Sequence, residues 1–378
     1  MELSKPESEL QTAAAEFAET EIEPAAVEHE RENRHPRDIV RKAAKKGLTS
    51  AALPAKYGGG GLGITGNLVV REQLYAADPG IAEAITGSMF GCEIIAAEGT
   101  EEQAERWVRP VTNGELITGA AMTEPRGGSD FANTQTRAVR DGDEYVIDGE
   151  KIFIGNGPIA DAVLVFARTE DTDPPHHGIS SFIVESGTDG FQQLELDEFV
   201  GPGAMSLGRL ELNDARVPED AIVGEKGDGF YQAMRTMNGS RLEIAASSIG
   251  AARGVLDRTI EYISEREAFG DPISERQAVR HRIADYEARL EAVRSLTYET
   301  ARNLEQDANL AEEPAMAKLL ASELAEEAAS DAVQLHGGYG LFDEYRVEEY
   351  LRWTKIAQIY DGTSEIMRDI IAESTIDG

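Results

Sequence analysis

The chain has 378 residues, 41% of them hydrophobic, and carries 70 Asp and Glu against 36 Lys and Arg. A net charge of -34 repels nucleic acid, and no run of about 18 apolar residues offers a membrane helix. One cysteine, Cys92, excludes an internal disulfide framework, and six histidines without ligand spacing predict no protein metal site.

The acidic, polar N-terminus lacks the basic and apolar segments of a secretory signal. With a single free thiol, this predicts a cytoplasmic protein. The basic residues are nine lysines and 27 arginines, and the acids are spread along the chain. Such a surface suits high salt, where screening relieves self-repulsion, so a halophilic source is expected. The plain alternative is an ordinary acidic protein.

Residues 1 to 119 read as a helical domain. "PRDIVRKAAKKGL" has helical apolar spacing and ends at Gly47. The following "LPAKYGGGGLG" fits G-x-G-x-x-G at Gly58, Gly60 and Gly63. It follows a helix and Pro54, not a strand, so it reads as a flexible loop and not a dinucleotide fingerprint. Residues 120 to 225 change texture. "RAVRDGDEYVIDGEKIFIGNG" alternates apolar and polar residues around Asp-Gly turns, and "ADAVLVFART", "GISSFIVES" and "GRLELNDARV" continue as short strands.

Residues 226 to 378 are helical again. The stretch from Gly229 to Gly270 is one long Ala-rich run or two, and two more runs of about 20 residues or longer follow it. The expected class is therefore α+β: an N-terminal helical domain, a middle β-barrel or sandwich and a C-terminal four-helix bundle. Ala-rich faces allow close helix approach and suggest an oligomer. Near the end, "YDGTSEI" sets a lone carboxylate, Asp361, on a Gly-hinged turn between apolar helical runs. It either opens a helix or serves as a base aimed at a substrate.

Five strings in order carry a resemblance: "AMTEPRGGSD", "YVIDGEKIFIGNG", "EREAFGDPI", "VQLHGGYG" and "YDGTSEI". Together they resemble the acyl-CoA dehydrogenase flavoprotein family, over nearly the whole chain. The resemblance implies FAD, an acyl-CoA thioester, α,β-desaturation and electron transfer to an electron-transferring flavoprotein. It also implies a homodimer or homotetramer, and a place in fatty acid β-oxidation.

By that resemblance, Met122 and Thr123 meet the flavin, and Ser129 meets a pyrophosphate and the substrate. Phe153, Ile154 and Gly155 lie against the flavin. Arg266, Phe269, Gln277, Gln334, Gly337 and Gly338 reach the FAD of a neighbouring subunit, and Thr363 and Glu365 also contact the cofactor. Asn238, Arg241 and Gly362 flank the thioester, and Asp361 is the base.

The chain departs from the family pattern at three of these places. Phe153 stands where Trp is usual, Gly155 where Thr or Ser is common, and Asp361 where most members have Glu. Some members carry the base at the place of Ser240, which is no base alone; Glu243, one turn on, shares its face. The alternatives are an acyl-CoA oxidase, a nitroalkane-type oxidase, whose relatives use Asp, and a non-catalytic flavin-binding homologue.

Overall fold

The computed structural model describes residues 3–196, 199–306 and 310–377. The N-terminal helices are α1 (Lys5–Phe17), α2 (Ala26–Glu32), α3 (Arg37–Lys45), α4 (Gly63–Ala77), α5 (Pro79–Thr86), α6 (Cys92–Glu98), α7 (Glu101–Gln103) and α8 (Arg109–Thr112). α3 stops where the sequence suggests, with Gly47 at φ 73° just beyond it. The glycine run that follows is an ordered loop. Gly60 N–H donates to the Ser50 carbonyl at 3.0 Å and Gly61 N–H to Leu53 at 2.9 Å. Among the described residues no strand precedes it, so it has no dinucleotide-cradle geometry.

The middle segment holds β1 (Thr118–Ala121), β2 (Arg137–Asp141), β3 (Glu144–Gly155), β4 (Ala162–Arg168), β5 (Ile179–Glu185), β6 (Phe191–Glu195), β7 (Leu207–Pro218) and β8 (Ile222–Val223). They form one sheet in the order β6-β7-β3-β2-β4-β5-β8, with β1 added beside β4. The first Asp-Gly signal is the β2–β3 hairpin turn, with Gly142 at φ 66°. The second, Asp148-Gly149, is no turn but a bulge inside β3, where the register to β7 shifts. A Cβ on Gly149 would sit 2.5 Å from Thr136 Oγ1, so the approaching chain requires glycine there.

The C-terminal segment is built on α9 (Gly229–Glu265), then a hairpin of β9 (Glu267–Ala268) and β10 (Asp271–Pro272), α10 (Gln277–Leu304), α11 (Glu312–His336), α12 (Glu348–Ala357) and α13 (Ser364–Asp377). The run whose division was open is a single helix of 37 residues. The helical ends of the chain share one core: Leu68 and Leu74 of α4, Leu242 and Ile249 of α9, Leu324 of α11 and Trp353 of α12 are all buried in it. α4 and α9 approach closely because Gly254 lacks a side chain; a Cβ there would lie 2.0 Å from the Ala76 carbonyl oxygen. Glu72 of α4, fully buried, accepts from Arg294 of α10 at 2.9 Å and from Arg253 of α9 at 3.2 Å. Breaking one partner of such a set costs about 3–5 kcal/mol, because a buried charge is left uncompensated.

No helix among the described residues is long and apolar enough to cross a membrane. Nor do those residues hold a cluster of three or more His, Cys, Asp or Glu able to bind a metal.

Candidate active site

Between α12 and α13 the chain reverses through Asp361 at φ 52° and Gly362 at φ 94°. A non-glycine residue in the left-handed region costs about 1–3 kcal/mol and persists only where its surroundings fix it. Two groups fix this one. Lys318 of α11, 1% exposed, donates to the carbonyls of both Tyr360 and Gly362, on either side of Asp361. Ser240 of α9 donates its hydroxyl to the Asp361 carboxylate. Burial pushes the Lys318 ammonium down to about 8, and the Asp361 charge opposes the fall.

Helix opening falls to a different residue. Thr363 caps α13 by accepting from the Ile366 N–H at 3.3 Å. Glu365 is exposed, and its carboxyl is held below the usual range by its own main-chain N–H and the Thr363 hydroxyl. Asp361 is thus free of capping duty. Beside it, the buried Arg241 donates to Asn238 Oδ1 at 3.0 Å, while its Nε has no partner among the described residues. Asn238 in turn donates to the Leu310 carbonyl. Glu243 is engaged elsewhere: Arg71 of α4 meets Oε2 at 2.8 Å and Asn67 donates to Oε1 at 2.6 Å. Both of its oxygens are thus turned to α4 and held there.

A second set of residues gathers on the sheet. Met122 and Thr123 follow β1, and a main-chain bridge between Glu124 and Gly127 tightens the turn after them. Ser129 is exposed on that loop. Phe153 sits at a bulge of β3, φ 60°, and is 62% exposed, while Ile154 beside it is buried. A Cβ on Gly155 would lie 3.0 Å from the Phe90 ring, so a larger residue there requires that ring to shift. Beneath both strands Lys151, fully buried, donates at 2.9 Å to the Met122 carbonyl and at 2.9 Å to Glu124. Glu124 also accepts from the Gln135 and Thr136 N–H groups. This pair welds the Met122–Thr123 segment to β3.

A third set lies at the far end of the bundle. Arg266, Gln334, Gly337 and Gly338 line one groove of about 510 Å³, with Tyr262 and His336 stacked 4.2 Å apart in its wall. A Cβ on Gly337 or Gly338 would meet nothing, so the groove floor is open backbone. Phe269 is fully exposed at the tip of the β9–β10 hairpin, and Gln277 is exposed at the start of α10. Lys318 and Gln334 are 16 residues apart on α11, hence about 24 Å at 1.5 Å per residue. The groove and the Asp361 turn of one chain are therefore two separate places.

Sequence reading did not find Lys318, Lys151 or Glu124, and it set Ser240 aside. The only signal was a lone lysine in an Ala-rich helix and another in a strand, in a chain with nine lysines.

Three family models cover the chain: the N-terminal domain of acyl-CoA dehydrogenase over residues 4–115, the middle domain over 119–215 and the C-terminal domain over 227–376. An acyl-CoA dehydrogenase of Bacillus subtilis is 36% identical over 380 residues, covering 100% of both chains. Butyryl-CoA dehydrogenase from Megasphaera elsdenii superposes with a TM-score of 0.94 at 31% identity, over 100% of this chain and 99% of that one. A chain from a structural study of the electron transferring flavoprotein of Acidaminococcus fermentans and flavin-based electron bifurcation superposes at 0.96, with 35% identity and full coverage of both. With its sheet between two helical segments and all three domains matched in order, the chain belongs to the acyl-CoA dehydrogenase family.

Proposed function

We propose that the protein is an FAD-dependent acyl-CoA dehydrogenase in which Asp361 removes the α-proton of the thioester and electrons leave to an electron-transferring flavoprotein. The observation that carries this is the Asp361 turn, a carboxylate in a strained conformation held from two helices and released from capping. Ser240 donates to one oxygen of the Asp361 carboxylate and so fixes its position, as a base aimed at one proton requires. The buried Arg241 adds positive charge beside Asp361 and, with Asn238 and Gly362, borders the thioester. The residues present suit FAD. Phe153 offers an exposed aromatic face, the Met122–Thr123 segment is fixed by Lys151, and Arg266 and the open Gly337–Gly338 backbone suit a pyrophosphate. When bound, FAD supplies the acceptor for the two electrons and the hydrogen from the β-carbon.

Division of labour follows the segments: residues 1–119 cover the acyl side, 120–225 hold the flavin, and 226–378 carry the base and the assembly surface. The groove about 24 Å from the base turn supports a cofactor shared with a neighbouring subunit, in a dimer or tetramer. Phe269, Leu341 and Phe342, 100%, 72% and 62% exposed around that groove, are the apolar surface a second copy would cover. Assembly and FAD content are then linked. Gel filtration with absorbance at the flavin band should show one FAD per subunit travelling only with the oligomer. A colourless monomer of full helicity would count against it.

The activity is tested by anaerobic titration of the yellow protein with a panel of acyl-CoA thioesters. Bleaching by thioesters, reversed by an electron-transferring flavoprotein, is the expected result. Rapid oxygen consumption without an added acceptor would instead make it an oxidase, and bleaching by nitroalkanes alone would make it of the nitroalkane type. The surface charge supports a halophilic setting, and the single free cysteine a cytoplasmic one. Many exposed pairs, such as Arg216 with Asp141 and Glu144, leave a large acidic excess that salt would screen. The melting temperature should therefore climb from low salt into the molar range; a flat or falling curve removes the halophile reading and leaves the enzyme intact.

A further inference from the structure

Between the base turn and the sheet lies a small cavity of about 10 Å³, room for about one water-sized group. Its walls come from the loop after α3, from α4, α5, α6 and α9, and are mostly polar: Thr49, Asn67, Arg71, Thr86, Glu93 and Glu243 line it, with Met89 beside them. Its place in the fold matters. Glu243 is three residues beyond Ser240, the donor to Asp361, so one wall is the helix face that holds the base. On the opposite side Met89 bridges Thr118 at the head of β1, the strand that leads to Met122. The neighbouring Phe90 ring packs where a side chain on Gly155 would stand. A thioester reacting between Asp361 and the Met122–Gly155 surface would have this space beside the helix face that carries Ser240 and Glu243 for its remaining acyl carbons.

The cavity is poorly made for a hydrocarbon. Arg71 and Glu243 satisfy each other at 2.8 Å, Asn67 completes Glu243, and Ser247 and Tyr75 lie at 3.3 and 3.4 Å from Arg71. Two groups are left over. Thr49, 4% exposed, has a hydroxyl without a hydrogen-bond partner among the described residues. The Glu93 carboxyl is met by its own main-chain N–H, and burial followed by the Glu243 charge pushes it up to about 7. An apolar tail would return no hydrogen bond to either. A carboxylate tail would meet Glu93 and Glu243 as like charges, with Arg71 already committed. A hydrogen-bond donor of one heavy atom answers both vacant groups.

Resting on the dehydrogenase reading above, we propose that the preferred substrate is a short acyl-CoA whose far end carries a hydroxyl or amino group, received by Glu93 and Thr49. The polar cavity is thus the specificity site. Sites built to hydrogen-bond a substrate group discriminate against analogues lacking it far more strongly than apolar pockets discriminate by size.

The test compares butyryl-CoA and pentanoyl-CoA with 4-hydroxybutyryl-CoA, 5-hydroxypentanoyl-CoA and succinyl-CoA on the FAD-loaded protein. Turnover is measured with an artificial acceptor, and calorimetry measures binding of the matching unreactive CoA thioethers. The better hydroxyacyl thioester should exceed its unsubstituted parent by about 10-fold or more in kcat/KM, with succinyl-CoA poorest. The thioethers should rank the same way in Kd. Glu93→Leu should reverse that order, and Thr49→Val, a milder change, should narrow the gap if Glu93→Leu does not fold. Parent compounds that bind as well as the hydroxylated ones in the thioether series would overturn the proposal, leaving a cavity that holds a resident water only. Bleaching by none of the thioesters, with the thioether ranking as expected, would instead sink the dehydrogenase reading and keep the polar site.

Discussion

Asp361→Asn should keep FAD bound and slow substrate-driven bleaching by about 100-fold or more, since general-base catalysis alone supplies about 10²–10⁴. Asn has the same shape and can still pair with Ser240, so the turn should survive the change. Rapid-mixing absorbance of the flavin measures it directly. Bleaching at the wild-type rate would remove Asp361 from the chemistry. Glu243 would then be a weak replacement, because freeing it requires breaking its contacts with Arg71 and Asn67.

Asp361→Glu separates two accounts of the shorter side chain. One methylene moves the carboxylate by about 1.5 Å, and an error of about 1 Å can cost about 100-fold. The wild-type carboxylate is already seated on Ser240, and the carbonyls on either side are clamped by Lys318. The longer side chain should therefore be displaced from Ser240 and react more slowly with every thioester. If Glu instead speeds straight-chain thioesters and slows branched ones, the room near the α-carbon is what the Asp provides.

Lys318→Met should lower kcat by about 10- to 100-fold with a smaller change in KM, because the clamp sets where the base sits and not how CoA binds. Two carbonyls lose their donor, so Asp361 loses the constraint that keeps it at positive φ. Lys318→Arg, which keeps a donor, should recover part of the rate; a purely structural lysine would show parallel losses of FAD and of helicity instead. The pH signature has a definite sign. Burial depresses the folded-state value to about 8 from the ordinary 10.5, so between those values the unfolded chain binds the extra proton. Stability contributed by this group therefore rises with pH from about 8 to 10.5 and is lowest below 8. Wild type should gain on Lys318→Met across that window in chemical denaturation; a constant difference would mean that Lys318 titrates normally.

The sequence by itself determined the family and the architecture. Five strings in a fixed order carried the first, and the switch from helical to alternating periodicity and back carried the second. Local rules sufficed there, because period, turn residues and caps are properties of neighbouring residues. They also put Asp361 on a hinged turn. The same rules misread the glycine loop as flexible and Asp148-Gly149 as a turn, since main-chain bonds back to Ser50 and Leu53 tie down the one and the distant strand β7 flattens the other.

What the tertiary structure decided is which charges are buried and with whom. Glu243 was an open alternative in the sequence and is a paired residue in the fold. Lys318, 44 positions from Gly362, and Arg71, 176 positions from Ser247, look like surface charges in a sequence this acidic. Periodicity tells which face a residue is on. It does not tell what lies against that face, and for a buried charge the partner decides what that charge can do.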